Sequence, residues 1–147
     1  ARAARSVTMP IVHGTCVALG PHGVLLSGES GSGKSDLALR LMDEGAMLVA
    51  DDQVVIEAED GALVARPHET LAGMIEVRGL GIVEVPFQPG TPLALVVSLV
   101  SGEAVPRMPE PDHVEVVGIS LPHMLLAPFE ASAVAKLRAA VRVLAAQ

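Results

Sequence analysis

The sequence predicts an α/β domain with a mixed, strand-rich sheet and few helices. Three observations carry this. Residues Gly28–Ser35 read GESGSGKS and lie between a short apolar run and an amphipathic stretch. Only Lys34–Glu44 and Ala131–Ala146 show sustained helical spacing. The remaining apolar residues fall in short β-prone runs broken by Gly, Pro and Asp. The 147 residues fit one domain with room for a packed core.

The elements follow in order. Val12–Leu19 reads as extended, and Gly20-Pro21-His22-Gly23 as a turn. Val24–Ser27 is a short buried strand that enters the glycine-rich segment. In the helix Lys34–Glu44, Leu37, Ala38 and Leu41 share a face, with Arg40 and Asp43 elsewhere. Gly45 supplies the stop. Met47–Ala50 is a second short buried strand, ending in Asp51-Asp52. Val54–Ala58 and Ala62–Ala65 flank Asp60-Gly61, a strong hairpin signal. Gly79-Leu80-Gly81 interrupts Met74–Val77 and Ile82–Val85. Leu93–Val100 reads as a central strand, and the proline-rich Ser101–His113 as a loop. Val114–Leu126 is extended with breaks. The last helix carries Val134, Leu137, Val141 and Leu144 on one stripe.

Composition excludes several function classes. Ten Lys plus Arg stand against 17 Asp plus Glu, a formal charge of -7. Such a chain does not attract nucleic acid or anionic membranes over its whole surface, so neither is expected as a partner. With two Phe and no Tyr or Trp there is no aromatic shelf for exposed bases. Adenine stacking is therefore expected to be weak, with binding resting on phosphates and base selectivity loose. No run is long enough to cross a bilayer as a helix. The basic Ala1–Arg5 is not followed by the apolar stretch of a signal peptide. Cys16 is the only cysteine, so no internal disulfide and no multi-cysteine metal site can form, and a reducing cytoplasm is the default location. Cys16 reads as core.

GESGSGKS matches the phosphate-loop pattern of Gly, four residues, Gly, Lys, then Ser or Thr. Gly28, Gly31 and Gly33 let the backbone turn and approach a phosphate, while Glu29, Ser30 and Ser32 contribute their loop amides. The following helix adds the positive end of its dipole. Lys34 can bridge outer phosphates, and the Ser35 hydroxyl can ligate Mg²⁺.

Asp51-Asp52 closes a strand next to this loop, where Mg²⁺ or a catalytic base is usually held. Neighbours in an extended segment point to opposite sides, so the two carboxylates divide their work. Glu76 and Arg78 share a face beside the Gly79/Gly81 bend, which suits close approach of a ligand or an edge strand with an ion pair. On spacing alone His13 reads as structural, and no His pairs with another His or Cys at metal-ligand spacing.

The stretch GESGSGKSDLALRLMDEGAMLVADDQVVI followed by EVRGLGI resembles the catalytic domain of the HPr kinase/phosphorylase family. His13-Gly14 matches a His-Gly pair upstream, and the resemblance covers roughly residues 12–120. It implies a P-loop kinase fold, ATP and Mg²⁺ as cofactors, and HPr of the sugar phosphotransferase system as the serine-bearing partner. It implies a cytoplasmic role in regulating carbon metabolism, and a homo-oligomer, in the family a hexamer. It gives Lys34 to the β- and γ-phosphates and Ser35 and Glu76 to Mg²⁺. Asp51 becomes the general base, supported by Asp52 and tuned by His13. Arg107 in Val105-Pro106-Arg107-Met108 resembles the catalytic arginine, which would stabilise charge on the transferring group.

Two departures qualify this. The 147 residues leave no room for the extra N-terminal domain of long members, so one catalytic domain over 1–147 without a regulatory companion is expected. The Pro-Gly-Arg-Asn stretch linked to dephosphorylation is replaced by Ala127-Pro128-Phe129-Glu130-Ala131, which argues against phosphorylase activity. The alternatives are a P-loop kinase of another protein or of a small hydroxyl compound, and a non-catalytic nucleotide sensor.

Overall fold

The computed structural model describes residues 10–147; the basic Ala1–Arg5 lies outside them. The strands are β1 (Ile11–Leu19), β2 (His22–Ser27), β3 (Met47–Glu59), β4 (Ala62–Pro67), β5 (Met74–Val77), β6 (Gly81–Glu84), β7 (Thr91–Leu99), β8 (Asp112–Val116) and β9 (Ile119–Leu126). Two α-helices accompany them, α1 (Lys34–Asp43) and α2 (Ala133–Ala145). No helix among the described residues is long and apolar enough to cross a membrane.

The α/β class with a mixed, strand-rich sheet is what forms. A seven-stranded sheet has the order β2-β1-β3-β4-β7-β9-β8, with β2 also paired to β7. That extra pairing curls the sheet into a closed circuit. β1 runs antiparallel to β2 and β3, β3 to β4, and β4 meets Thr91 and Pro92 at the start of β7. β7 then runs parallel to β2 and completes the ring. The later half of β7, Val96–Leu99, turns its other edge to β9, also parallel. β7 is thus the central strand expected of Leu93–Val100.

Two apolar cores follow from the alternation of strand side chains. Cys16, Leu25, Val54, Ile56 and Leu63 fill the inside of the circuit. On the opposite face, Val24, Leu26 and Val97 pack under Leu37 and Leu41 of α1 and Leu137 of α2. Burying one such side chain contributes about 1.5–3 kcal/mol. The apolar stripes of both helices are therefore what fixes them to the sheet. Cys16 is fully buried, and burial pushes its thiol up to about 12, so it behaves as core.

Several element boundaries differ from the sequence reading, each for a physical reason. The strand expected to stop at Asp51-Asp52 continues to Glu59, because β1 pairs with it through both aspartates. Asp52 takes a left-handed φ of 71° inside this strand, a conformation Asp tolerates better than most residues. The hairpin at Asp60-Gly61 forms as expected. The broken stretch after the proline-rich loop is a second hairpin, β8–β9, which turns at Val117-Gly118 with Val117 at φ 47°. Gly79-Leu80 sits in the turn between β5 and β6, a separate two-stranded ribbon whose Ile75 is buried under α1.

Candidate active site

The phosphate-loop segment bridges the end of β2 and the start of α1, as its sequence requires. The Ser32 amide donates to the Glu29 carbonyl at 3.0 Å, and the first helical bond is Leu37 N–H to Gly33 O at 2.9 Å. The amides of Lys34, Ser35 and Asp36 therefore have no acceptor within the helix, and they face any anion seated on its N-terminus. Gly33 caps the helix at φ 102°, a left-handed conformation that favours glycine. Lys34 is buried, and its ammonium donates to the carbonyls of Gly28 (2.7 Å) and Glu29 (3.0 Å). Ser32 Oγ is the one buried side-chain oxygen or nitrogen among the described residues that lacks a partner. A buried hydroxyl without a partner costs about 1–3 kcal/mol, and here it lies in the loop that would cradle phosphate oxygens.

The acidic pair separates into two environments. Asp51 is 8% exposed. Its Oδ1 accepts from Thr15 Oγ1 and from Ser35 Oγ, both at 2.8 Å. Its Oδ2 accepts from the Glu76 amide at 3.1 Å. One carboxylate thus ties together β1, β3, the start of α1 and β5. The register that sets Thr15 opposite Asp51 and Gly14 opposite Asp52 makes this possible. Gly14 is needed there, since a Cβ would lie 2.7 Å from the Leu26 carbonyl.

Asp52 faces outward beside His13, with Nδ1 3.3 Å from Oδ1 and side chains 55% (His13) and 61% (Asp52) exposed. His13 was expected to tune Asp51. It sits instead against Asp52, because it lies one strand residue before Gly14, on the open side of the sheet.

Glu76 shares the site through its backbone, and its side chain is exposed. Its expected ion pair with Arg78 does not form among the described residues, because the chain turns at Arg78. Arg107 is exposed in the loop after β7 and is in none of the ion pairs or side-chain hydrogen bonds of the described residues. That loop begins beside the phosphate loop: Leu99 Cβ lies 3.5 Å from where a Cβ on Gly28 would be. Gly102 in the same loop faces Glu130.

The donor chemistry fits Mg²⁺. This cation prefers oxygen ligands, keeps several waters and binds through one or two carboxylates plus substrate phosphates. Ser35 Oγ and the Asp51 carboxylate are hard oxygen donors joined by a hydrogen bond, and the backbone of Glu76, whose exposed side chain carries a further carboxylate, is bonded to Asp51. No group of three or more His, Cys, Asp or Glu among the described residues forms a metal cage of its own.

Thr15 escaped the sequence reading, since one hydroxyl in an apolar strand carries no signal until its neighbour across the sheet is known. So did a second polar chain. Ser98 Oγ lies 2.7 Å from His123 Nε2, and His123 Nδ1 lies 2.6 Å from Asp112 Oδ2. The hydrogen bond to His123 holds the Asp112 carboxyl below its usual range. Ser98 is set between β2 and β9 in parallel ladders on both edges, so the chain clasps β7, β9 and β8 together.

Comparison with known proteins bears on this site. A family model described as the HPr serine kinase C-terminal domain matches residues 5–137. The HPr kinase/phosphorylase of Clostridium beijerinckii is 49% identical over 74 residues, 50% of this chain and 24% of that protein. The Clostridium tetani protein of the same name is 48% identical over 75 residues, 51% of this chain and 25% of that protein. The match thus spans about a quarter of the length of these curated relatives. The solved structure of the HPr(Ser) kinase/phosphatase from Coxiella burnetii superposes with a TM-score of 0.81 at 26% identity, covering 91% of this chain and 89% of that one.

Proposed function

The chain belongs to the HPr serine kinase C-terminal domain family, and on that premise we propose that it transfers the γ-phosphoryl group of ATP to a serine hydroxyl of HPr. One observation carries the reading. The Ser35 hydroxyl at the head of α1 is bonded to the buried Asp51 carboxylate, which joins the phosphate loop and the acidic pair in one site.

The loop amides and the helix N-terminus bind the phosphate chain. Lys34 leaves the carbonyls of Gly28 and Glu29 for the outer phosphates, where its charge counters theirs. Ser35 and Glu76, with Asp51 beside them, would hold Mg²⁺, which supplies charge neutralisation across the phosphates when bound. Catalysis is then mostly positioning and electrostatics.

The geometry supports exchanging the two roles expected of the aspartates. Both oxygens of Asp51 are engaged and the group is buried, which suits positioning. Asp52 is open to an incoming hydroxyl, and His13 stands beside it to hold its orientation. Asp52 is therefore our choice for the base that accepts the serine proton as its oxygen attacks in line. Arg107 is assigned to the transferring phosphoryl group once the protein substrate is docked, a role that its exposed position in a loop rising beside Gly28 permits.

HPr as the partner rests on the names of the relatives. One catalytic domain, a homo-oligomer and a regulatory role in carbon metabolism are part of the same proposal, carried by the family resemblance. The segment Ala127–Ala131 supports kinase action without phosphorolysis. Incubation with purified HPr and labelled ATP, with and without inorganic phosphate, tests the set. Label on an HPr serine is expected. Phosphate-dependent loss of that label with release of pyrophosphate would restore the phosphorylase. Label only on a small hydroxyl compound, or ATP binding with no transfer, would favour the alternatives.

A further inference from the structure

Apart from its five histidines, the chain has two aromatic side chains, both phenylalanines, and the structure sets them in different places. Phe87 packs over Gly73, its ring 2.9 Å from where a Cβ would be, and bridges to Leu48 of β3. Phe129 is 70% exposed and stands against the phosphate loop. Its Cζ and Cε1 lie 2.8 and 3.1 Å from where a Cβ on Gly33 would be, and Pro128 Cγ lies 3.3 Å from the same point. The ring tip is therefore seated on the α-carbon of the loop's last glycine, and most of the ring stays open.

Exposure of one apolar side chain is ordinary and carries nothing by itself. What matters is that this ring is held in place beside the loop. Arg40 of α1 donates to the Pro128 carbonyl while also pairing with Asp36, which fixes the turn to the first helix. The Glu130 amide returns to the Ala127 carbonyl, and Lys136 anchors Glu130. The phosphate loop and Lys34 take the outer phosphates of a nucleotide, so its nucleoside end must leave the cradle along the rim. Phe129 is the aromatic face on that rim.

Resting on the kinase reading of this site, we infer that Phe129 is the platform on which the nucleotide base stacks. Gly33 has no side chain and the Pro128 ring carries no donor or acceptor, so neither of these neighbours reads a base edge. Stacking tolerates any base, because every base has a π-face. Adenine and guanine nucleotides should therefore bind alike. This keeps the loose base selectivity expected from the sequence but replaces its reason, since stacking contributes substantially instead of being weak.

The absence of Trp and Tyr gives a clean test, because the Phe129→Trp variant carries a single fluorophore. ATP and GTP should each quench its emission, whereas inorganic tripolyphosphate, held by the same loop, should not. By calorimetry, Phe129→Ala should weaken ATP and GTP alike by about tenfold, as for one lost base–aromatic stack, and leave tripolyphosphate unchanged. Unchanged ATP affinity in Phe129→Ala would overturn the inference while leaving the kinase reading intact. An equal loss for tripolyphosphate would also overturn it, since the ring would then merely prop the loop. If the unaltered protein bound neither ATP nor tripolyphosphate, the kinase reading would fall and this inference with it.

Discussion

Asp51 and Asp52 are adjacent, yet replacing each with Asn should produce opposite signatures. Asp51 accepts three hydrogen bonds, from Thr15, Ser35 and the Glu76 amide. An asparagine can turn its oxygen to the Glu76 amide and its NH2 group to the Thr15 and Ser35 hydroxyls, which then accept, so all three bonds persist but lose the charge. Hydrogen bonds to a charged group contribute about 1.5–3 kcal/mol each against about 1 kcal/mol for neutral ones, a loss of about 0.5–2 kcal/mol per bond. Over three bonds Asp51→Asn should therefore cost roughly 1.5–6 kcal/mol, or about 3–24 °C in Tm for a domain of this size. Asp52 is exposed and among the described residues its one close partner is His13, so Asp52→Asn should change stability by about 0.5 kcal/mol or less. Its turnover should nonetheless fall about 10²–10⁴-fold, the usual contribution of a general base. Thermal unfolding and initial-rate phosphorylation of HPr measure both effects on the same samples. Full turnover in Asp52→Asn would refute the base assignment. An unchanged Tm in Asp51→Asn would refute its place as the polar hub.

Other outcomes follow from the same contacts. Lys34→Met should abolish most phosphoryl transfer and weaken tripolyphosphate binding while the far-ultraviolet circular dichroism stays native, because among the described residues the Lys34 ammonium bonds to loop carbonyls alone. Gly14→Ala should destabilise by about 1–3 kcal/mol on overpacking grounds, since its Cβ meets the backbone carbonyl of Leu26, which cannot rotate away; chemical denaturation reads this as a lower midpoint. Asp112 is held below its ordinary value of 3.8, chiefly by the hydrogen bond to His123, so its contribution is present above that pH and is lost as pH falls through its lowered value. Unaltered protein should thus be more stable than Asp112→Asn at neutral pH, with the gap closing in acid; a pH-independent gap would contradict the clasp.

The local parts of this fold were legible because each has a local cause. The loop, the face of Leu37, Ala38 and Leu41, and the Asp60-Gly61 hairpin are written in neighbouring residues. The closed circuit was not, since it depends on β2 meeting β7 and β4 meeting β7 across long stretches of chain. The β8–β9 hairpin was obscured because a β-branched residue, Val117, occupies a turn position that usually goes to Asn, Asp or Gly. At the site, the alternation rule correctly separated Asp51 from Asp52. It could not say which was buried, because that depends on Thr15 across β1 and on the ribbon carrying Glu76.

Phosphorylation of purified HPr by this chain, followed by mass spectrometry in the presence of ATP and Mg²⁺, tests the central claim most directly. The expected result is one phosphate on an HPr serine at a rate that collapses in Lys34→Met and Asp52→Asn. Unmodified HPr after incubation with protein shown to bind ATP would contradict it.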